Sequence, residues 1–299
     1  MRLLALLLAA VTVLANAQDF PARPVRMVVP FPPGGGADAL ARLTGPKLTE
    51  LWGQQVVIEN KPGASGHIGA DLVAHSPADG YTLFMTSGSI VTANPYMYKS
   101  MTFDPAKDFV AITNVASGPQ VIIVNPDGPF KTLPDLVAYA KANPNKLTFG
   151  SAGIDMTHVP YKGEAYAITD VMGGQISLAV INLSASINFI RQGKLRALGV
   201  TSRERSPLLP DVPAAAEAVP GFENSGWFGL LAPTGTPKEV VDKVYRDSAK
   251  ILASEEFRAK LAQQAMAPVG NSPAEFAAAI RDESERWAKI IRERKLQAN

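Results

Sequence analysis

Short apolar runs alternate with helical patterns along the first part of the chain. Residues 25–31 form a β-branched-rich run without polar alternation, which is typical of a strand buried on both faces of a parallel sheet. Apolar residues at helical spacing follow over residues 40–51, with an interruption expected at Gly45-Pro46, and residues 55–59 form the next strand. This order predicts a β-α-β unit and an α/β fold.

Later segments indicate that the chain crosses twice between two parts of the molecule. Residues 110–116 and 121–124 are two apolar, β-rich pieces on either side of Ser117-Gly118-Pro119, where we place the outward crossing. The aromatic run 226–231 is expected to cross back. The crossings predict two lobes: residues 18–116 plus 228–299 form the first, and residues 117–227 form the second.

Capping residues mark three helix starts. Thr132 is expected to be an N-cap, and Thr236-Pro237-Lys238-Glu239 and Ser272-Pro273-Ala274-Glu275 each predict a capping box with proline at the first helical position. The charge-rich face over residues 281–294 is expected to be solvated.

Residues 146–150 and 155–161 both have the pattern of a strand, but only four residues separate them. A parallel crossover needs about a dozen or more residues, so a tight hairpin is the expected connection.

The N-terminal residues predict export. Residues 1–17 combine a thin basic start, an apolar core and Ala15-Asn16-Ala17, which together are typical of a secretory signal peptide. The chain contains no cysteine, which excludes a disulfide framework and a Cys-ligated metal site. The formal net charge of +2 is nearly balanced, so no nucleic-acid partner is expected.

A glycine corner carries the strongest functional signal. Gly34-Gly35-Gly36 follows the first strand and opens a helix, whose first N–H groups and positive dipole end favour an anion. The polar turn Thr86-Ser87-Gly88-Ser89 ends a third strand, and carboxyl ends of parallel strands meet at one crevice. A small carboxylate is the expected anion.

Catalytic and metal motifs are absent from the sequence. No Gly-x-Ser-x-Gly elbow or His-x-x-x-His pair occurs, and His67, His75 and His158 are dispersed, so we expect no catalytic residues, no metal and no cofactor. One alternative stays open: residues 34–39 satisfy a loose Gly-x-Gly-x-x-Ala pattern and Glu59 ends the second strand, as in a dinucleotide-dependent oxidoreductase.

Motifs spread over almost the whole chain together resemble one family. They are residues 21–26 (PARPVR), 29–38 (VPFPPGGGAD), 57–64 (VIENKPGA), 77–83 (PADGYTL), 158–163 (HVPYKG), 193–198 (GKLRAL) and 233–237 (PTGTP). The combination resembles the Bug receptors, the periplasmic substrate-binding proteins of tripartite tricarboxylate transporters.

The resemblance implies a non-enzymatic, monomeric periplasmic receptor with a two-lobed, type II flytrap fold. It would capture a di- or tricarboxylate, an acidic amino acid or an aromatic acid in the cleft between the lobes, and deliver it to membrane permease subunits. The ligand-binding residues that it implies are Phe31, Gly34, Gly35, Gly36, Ala37, Asp38, Thr86, Ser87, Ser89, Ser151, Ala152, Gly153 and Asn182.

The chain departs from the family pattern at two points. Family members continue after Ser-Ala-Gly with a whole helix, whereas this chain passes from Gly153 directly to Ile154, so the second lobe is expected to lack one helix. Ile181 stands where an aspartate is common. A degenerate receptor that has lost its ligand and serves as a scaffold or signalling partner is therefore a second alternative.

Overall fold

The structure is a computed structural model of the 299-residue chain. It describes residues 20–143, 146–147, 161, 164–219, 222, 224–294 and 296. Three predictions lie outside these residues: the signal peptide, the missing helix after Gly153 and most of the hairpin over 146–161. Of the hairpin, only residues 146, 147 and 161 are described.

The first part of the chain begins with two β-α-β units. Its elements are β1 (Val25–Val29), α1 (Gly36–Trp52), β2 (Val56–Asn60), a 3-10 turn (Ala64–Gly66), α2 (His67–Ala74), β3 (Thr82–Ser87), α3 (Gly88–Thr92), α4 (Asn94–Met97), α5 (Pro105–Asp108) and β4 (Phe109–Val124). Because β1 pairs in parallel with both β2 and β3, the predicted β-α-β unit is confirmed.

The second part contains shorter strands and then a helical C-terminal region. Its elements are α6 (Leu133–Ala142), α7 (Glu164–Met172), β5 (Ala179–Asn182), α8 (Leu183–Arg191), β6 (Arg196–Val200), α9 (Ala215–Ala218), β7 (Ser225–Pro233), α10 (Lys238–Ala253), α11 (Glu255–Gln263), β8 (Ala267–Pro268) and α12 (Pro273–Arg294).

The strands join in the order β2-β1-β3-β7-β4-β5, with β6 and β8 also paired to β4. Strand β7 is antiparallel to both β3 and β4, and it therefore lies in the middle of the sheet. Residues 109–119 of β4 pair with β7, whereas residues 120–124 pair with β5 and β6. One strand thus belongs to both halves of the molecule.

The prediction of two separate pieces around Ser117-Gly118-Pro119 is wrong, because β4 is continuous through these residues. Gly118 pairs with Gly226, and Pro119 pairs with Ser225. A Cβ on Gly118 would lie 2.7 Å from the carbonyl oxygen of Ala265, so a close approach of another chain segment explains this glycine better than a turn does.

Each half of the sheet is covered on both faces. Met27 and Val29 of β1 pack in one cluster with helices α1 and α10, whereas Val28 packs with Phe84 and α12 on the other face. Beyond the crossing, Val121 and Ile123 pack against α7 and α8, and Val124 packs against α6. Burial of one such side chain stabilises the fold by about 1.5–3 kcal/mol.

Two predictions about helices are wrong. Helix α1 continues through Pro46, because Leu40 and Leu48 on either side are fully buried and their packing offsets the missing backbone hydrogen bond. The capping box at Thr236 does not form: the Thr236 hydroxyl donates to the Pro233 carbonyl oxygen, and Pro237 is the N-cap of α10. The N-cap at Thr132 and the capping box at Ser272 are confirmed, and Thr132 also forms a capping box with Asp135.

Within the described ranges, no helix has the length and apolar character needed to cross a membrane.

Candidate functional site

A cavity of about 360 Å³ lies between the loop that joins β1 to α1 and the junction of β5 with α8. Cavities of this size hold small molecules. Its wall is formed by residues from both halves of the molecule, and those used below are Phe31, Gly35, Gly36, Ala37, Ser65, Ser87, Gly88, Ser89, Asn94, Tyr98, Tyr161, Glu164, Asn182, Trp227, Phe228, Glu283 and Trp287.

The glycine corner places the first turn of α1 in the wall of this cavity. Gly34 has a φ of +92°, which favours glycine, and Gly35 is the N-cap of α1. Ala39 donates its N–H to the Gly35 carbonyl oxygen, so the preceding N–H groups of the first turn have no intrahelical acceptor. A carboxylate placed there would accept from them and would interact favourably with the dipole of a 17-residue helix.

Asp38 holds this corner in place from outside the cavity wall. Its buried carboxylate accepts from Gly34 N, Arg42 Nε and Asn60 Nδ2, each at 2.9 Å. Burial alone would raise the pKa of Asp38, but the hydrogen bonds from Arg42, Gly34 and Asn60 outweigh it and lower the pKa. Since these donors engage both carboxylate oxygens, Asp38 is placed to orient the loop.

The N-termini of α1 and α8 meet across the cavity. A Cβ on Gly36 would lie 2.5 Å from Phe228 Cζ and 3.2 Å from Ser184 Oγ. Ser184 is the second residue of α8, and its buried hydroxyl has no hydrogen-bond partner among the described residues. The close approach of Phe228, more than that of Ser184, favours a glycine at position 36.

The polar turn after β3 adds hydroxyl groups to the wall. Ser87 Oγ and Ser89 Oγ lie 3.0 Å apart, and both residues line the cavity. Thr86 is fully buried behind them, and its hydroxyl donates to the Ser87 carbonyl oxygen.

The predicted site residues therefore fall into three groups. Those that line the cavity are Phe31, Gly35, Gly36, Ala37, Ser87, Ser89 and Asn182. Gly34, Asp38 and Thr86 do not line it: Gly34 is exposed, whereas Asp38 and Thr86 are buried. Ser151, Ala152 and Gly153 lie outside the described residues.

A second corner, after β2, was missed in the sequence. Ala64 and Ser65 have φ values of +46° and +53°, which non-glycine residues rarely adopt. Asn94 Nδ2 donates to the Ser65 carbonyl oxygen at 3.4 Å, and the Tyr98 hydroxyl donates to Ser65 Oγ at 2.6 Å. Packing of His67 against Tyr98 completes this support. Gly63-Ala64-Ser65-Gly66 directly after a strand was the available signal.

Two acidic side chains in the wall were also missed. Glu164 begins α7, and its Oε1 accepts from both Asn182 N and Asn182 Nδ2, each at 2.7 Å. Burial raises the pKa of Glu164, and these two hydrogen bonds oppose the rise. No motif marks this residue, because its role depends on a contact with β5.

Glu283 stands on α12, on the face that was expected to be solvated, and it instead connects α12 to the centre of the molecule. Its carboxylate accepts from Trp227 Nε1 of β7, from Trp287 Nε1 at 3.2 Å and from the Thr92 hydroxyl at 3.3 Å.

No lysine or arginine is among the described residues of the cavity wall. The described ranges also contain no group of three side chains that could hold a metal ion. The polar groups in the described part of the wall are N–H groups, hydroxyls, amides and two carboxyl groups.

Comparison with known proteins identifies the family. The model of the tripartite tricarboxylate transporter family receptor matches residues 40–157 and 151–296. The chain belongs to this receptor family.

Solved structures of similar proteins agree. Rpa4515 of R. palustris, solved with adipate, is 37% identical, has a TM-score of 0.87, and the match covers 92% of this chain and 98% of that protein. The periplasmic binding protein BugD is 33% identical with a TM-score of 0.85, covering 94% and 100%. MatC from Rhodopseudomonas palustris, with bound malate, is 30% identical with a TM-score of 0.84, covering 91% and 100%.

The resemblance to Bug receptors and the two-lobed fold are thereby confirmed. The family is one of solute-binding receptors of the periplasm, not of enzymes. Glu59, the acidic residue on which the dinucleotide alternative depends, does not line the cavity.

Proposed function

We propose that this receptor captures a small carboxylate in the cavity between β1–α1 and β5–α8 and delivers it to the membrane permease subunits of a tripartite tricarboxylate transporter. The observation that carries the proposal is the position of the start of α1 in the wall of a cavity of about 360 Å³, where the N–H groups before Ala39 have no intrahelical acceptor. The relatives solved with adipate and with malate support a carboxylate as the ligand class.

The proposed binding mode uses neutral donors. The ligand carboxylate accepts from the N–H groups of Gly36 and Ala37, and the Ser87 and Ser89 hydroxyls lie beside it in the same wall. Charge-assisted hydrogen bonds of this kind stabilise an anion by about 1.5–3 kcal/mol each.

We further propose that binding closes two lobes, residues 18–116 plus 228–299 and residues 117–227, after removal of residues 1–17. Strands β4 and β7 connect the lobes, so their antiparallel pair is the proposed hinge.

A thermal-shift screen of residues 18–299 against di- and tricarboxylates, acidic amino acids and aromatic acids tests the proposal. A ligand present at 100 times its dissociation constant stabilises the folded protein by about 2.7 kcal/mol. A panel in which no carboxylate shifts a cooperative melt would contradict the proposal and favour the degenerate receptor.

Gly35→Asp is the decisive variant. Gly35 is an N-cap with extended backbone, and the nearest atom to an added Cβ is the Pro32 carbonyl oxygen at 3.9 Å, so aspartate fits and is a favoured cap. Its carboxylate should occupy the N–H groups and repel the ligand, which weakens binding at least tenfold while the melting temperature of the free protein is retained. Gly35→Ala, which adds a Cβ without charge, is the matched control.

A further inference from the structure

Glu164 is the feature of the cavity that the carboxylate proposal does not use. Its Oε1 takes two hydrogen bonds from Asn182, one from the backbone and one from the side chain. Among the described residues, no donor contacts Oε2 of Glu164, and the residue lines the cavity. Within the described residues the carboxyl group is thus held through Oε1 alone, which leaves Oε2 for a molecule in the cavity.

The charged surroundings offer Glu164 no counter-ion in the described part of the chain. On its own helix the other ionisable residues are Tyr166, which is exposed, and Asp170, which accepts from the Tyr161 hydroxyl at 2.7 Å. Strands β4 and β5 carry no ionisable side chain, and Arg191 of α8 lies at the far end of that helix. Across the cavity the acidic group is Glu283, which already binds two indole N–H groups.

This arrangement has an electrostatic consequence for the ligand. If one ligand carboxylate lies at the N-terminus of α1, a ligand that reaches the part of the wall containing Glu164 brings its other end to the carboxyl group of that residue. Two carboxylates in contact within a poorly solvated site repel strongly, and such pairs share a proton. A hydrogen atom must therefore lie between Glu164 and the ligand.

We propose that Glu164 determines which ligands the cavity accepts. A ligand with its own hydrogen-bond donor, such as an ammonium group, binds Glu164 directly. A dicarboxylate binds only with the uptake of one proton. The inference rests on the proposed carboxylate function and names the chemistry of the second end of the ligand. The two hydrogen bonds from Asn182 to Oε1 are compatible with both the ionised and the protonated form of Glu164. Oε1 accepts as a carboxylate oxygen in the first form and as the carbonyl oxygen of the acid in the second.

Isothermal titration calorimetry of the purified receptor tests this proposal with adipate and malate as dianions and 6-aminohexanoate as a zwitterion of similar length to adipate. Titration at one pH in buffers of different ionisation enthalpy gives the number of protons taken up. At a pH above the pKa of Glu164 in the free receptor we expect uptake of one proton for a dicarboxylate, and its affinity should fall by up to tenfold per pH unit as the pH rises above that pKa. We expect no uptake for 6-aminohexanoate.

Glu164→Gln carries its own amide donor and keeps an acceptor oxygen for Asn182. In this variant dicarboxylate binding should become independent of pH and of buffer, while 6-aminohexanoate should bind at least tenfold more weakly. Asp170→Asn, which removes a carboxylate from the same helix outside the cavity wall, is the control and should behave as the unchanged protein does.

The outcomes separate the two proposals. Binding of any dicarboxylate of the panel without proton uptake, or equal pH dependence in the unchanged protein and in Glu164→Gln, would overturn the role of Glu164 and leave the carboxylate function standing. Failure of every carboxylate to bind would overturn both.

Discussion

Replacing Glu283 by glutamine tests how the α12 side of the cavity is held. The carboxylate accepts from Trp227 on one oxygen, and from Trp287 and Thr92 on the other. In glutamine one of the two carboxylate oxygens is replaced by an NH₂ group, which is a donor. That NH₂ group would face at least one of the two indole N–H groups, so two donors would be opposed. Trp227 is only 8% exposed, so an indole N–H that loses its acceptor there is poorly solvated.

The magnitude follows from that unpaired donor. A buried N–H without a partner costs about 1–3 kcal/mol, and we expect Glu283→Gln to lower the free energy of unfolding by this amount. Urea unfolding followed by tryptophan fluorescence measures it through the shift of the midpoint at constant slope. Glu285→Gln, an exposed change on the same helix, is the control and should have an effect of about 0.5 kcal/mol or less. Equal midpoints for the two variants would refute the reasoning.

Two further changes test the glycine corner. Gly36→Ala places a Cβ 2.5 Å from Phe228 Cζ, and such overpacking costs about 1–3 kcal/mol of stability. Thermal melts should show the loss. A melting temperature equal to that of Gly35→Ala would contradict the close contact. Asp38→Ala removes the acceptor of three hydrogen bonds and should destabilise the fold by about 3 kcal/mol at pH 7. Because the pKa of Asp38 is lowered in the folded state, its contribution to stability is present above the unfolded-state pKa and is lost as the pH falls. The difference in free energy of unfolding between Asp38→Ala and the unchanged protein should therefore narrow below about pH 4. A constant difference from pH 7 to pH 3 would refute this assignment.

The first β-α-β unit and its corner could be predicted because their signals are local. Three glycines between a buried strand and a helix define the corner by themselves, and Gly35 and Gly36 indeed line the cavity. The same local logic misassigned Ser117-Gly118-Pro119, since pairing with β7 keeps β4 extended through residues that otherwise favour a turn. Tertiary pairing overrode turn propensity there, as packing overrode Pro46 in α1.

The acidic residues of the cavity could not be predicted for a different reason. Glu283 contacts Thr92 and Trp227, and Glu164 contacts Asn182, so each role exists only after distant segments have met. A charge on a helix looks the same in sequence whether it faces water or an indole N–H. Spacing within one helix cannot distinguish these cases.

The position of β7 between β3 and β4 fixes the order in which the molecule can be assembled during its biosynthesis. Phe84 pairs with Leu231 and Asn114 pairs with Gly229, so the centre of the sheet stays incomplete until the ribosome has released the segment after Ser225. Contacts of such high sequence separation slow folding. Until then, β3 and β4 expose unpaired inner edges, which are sites of aggregation. A polypeptide that stops short of β7 should therefore be a client of chaperones and not a smaller receptor.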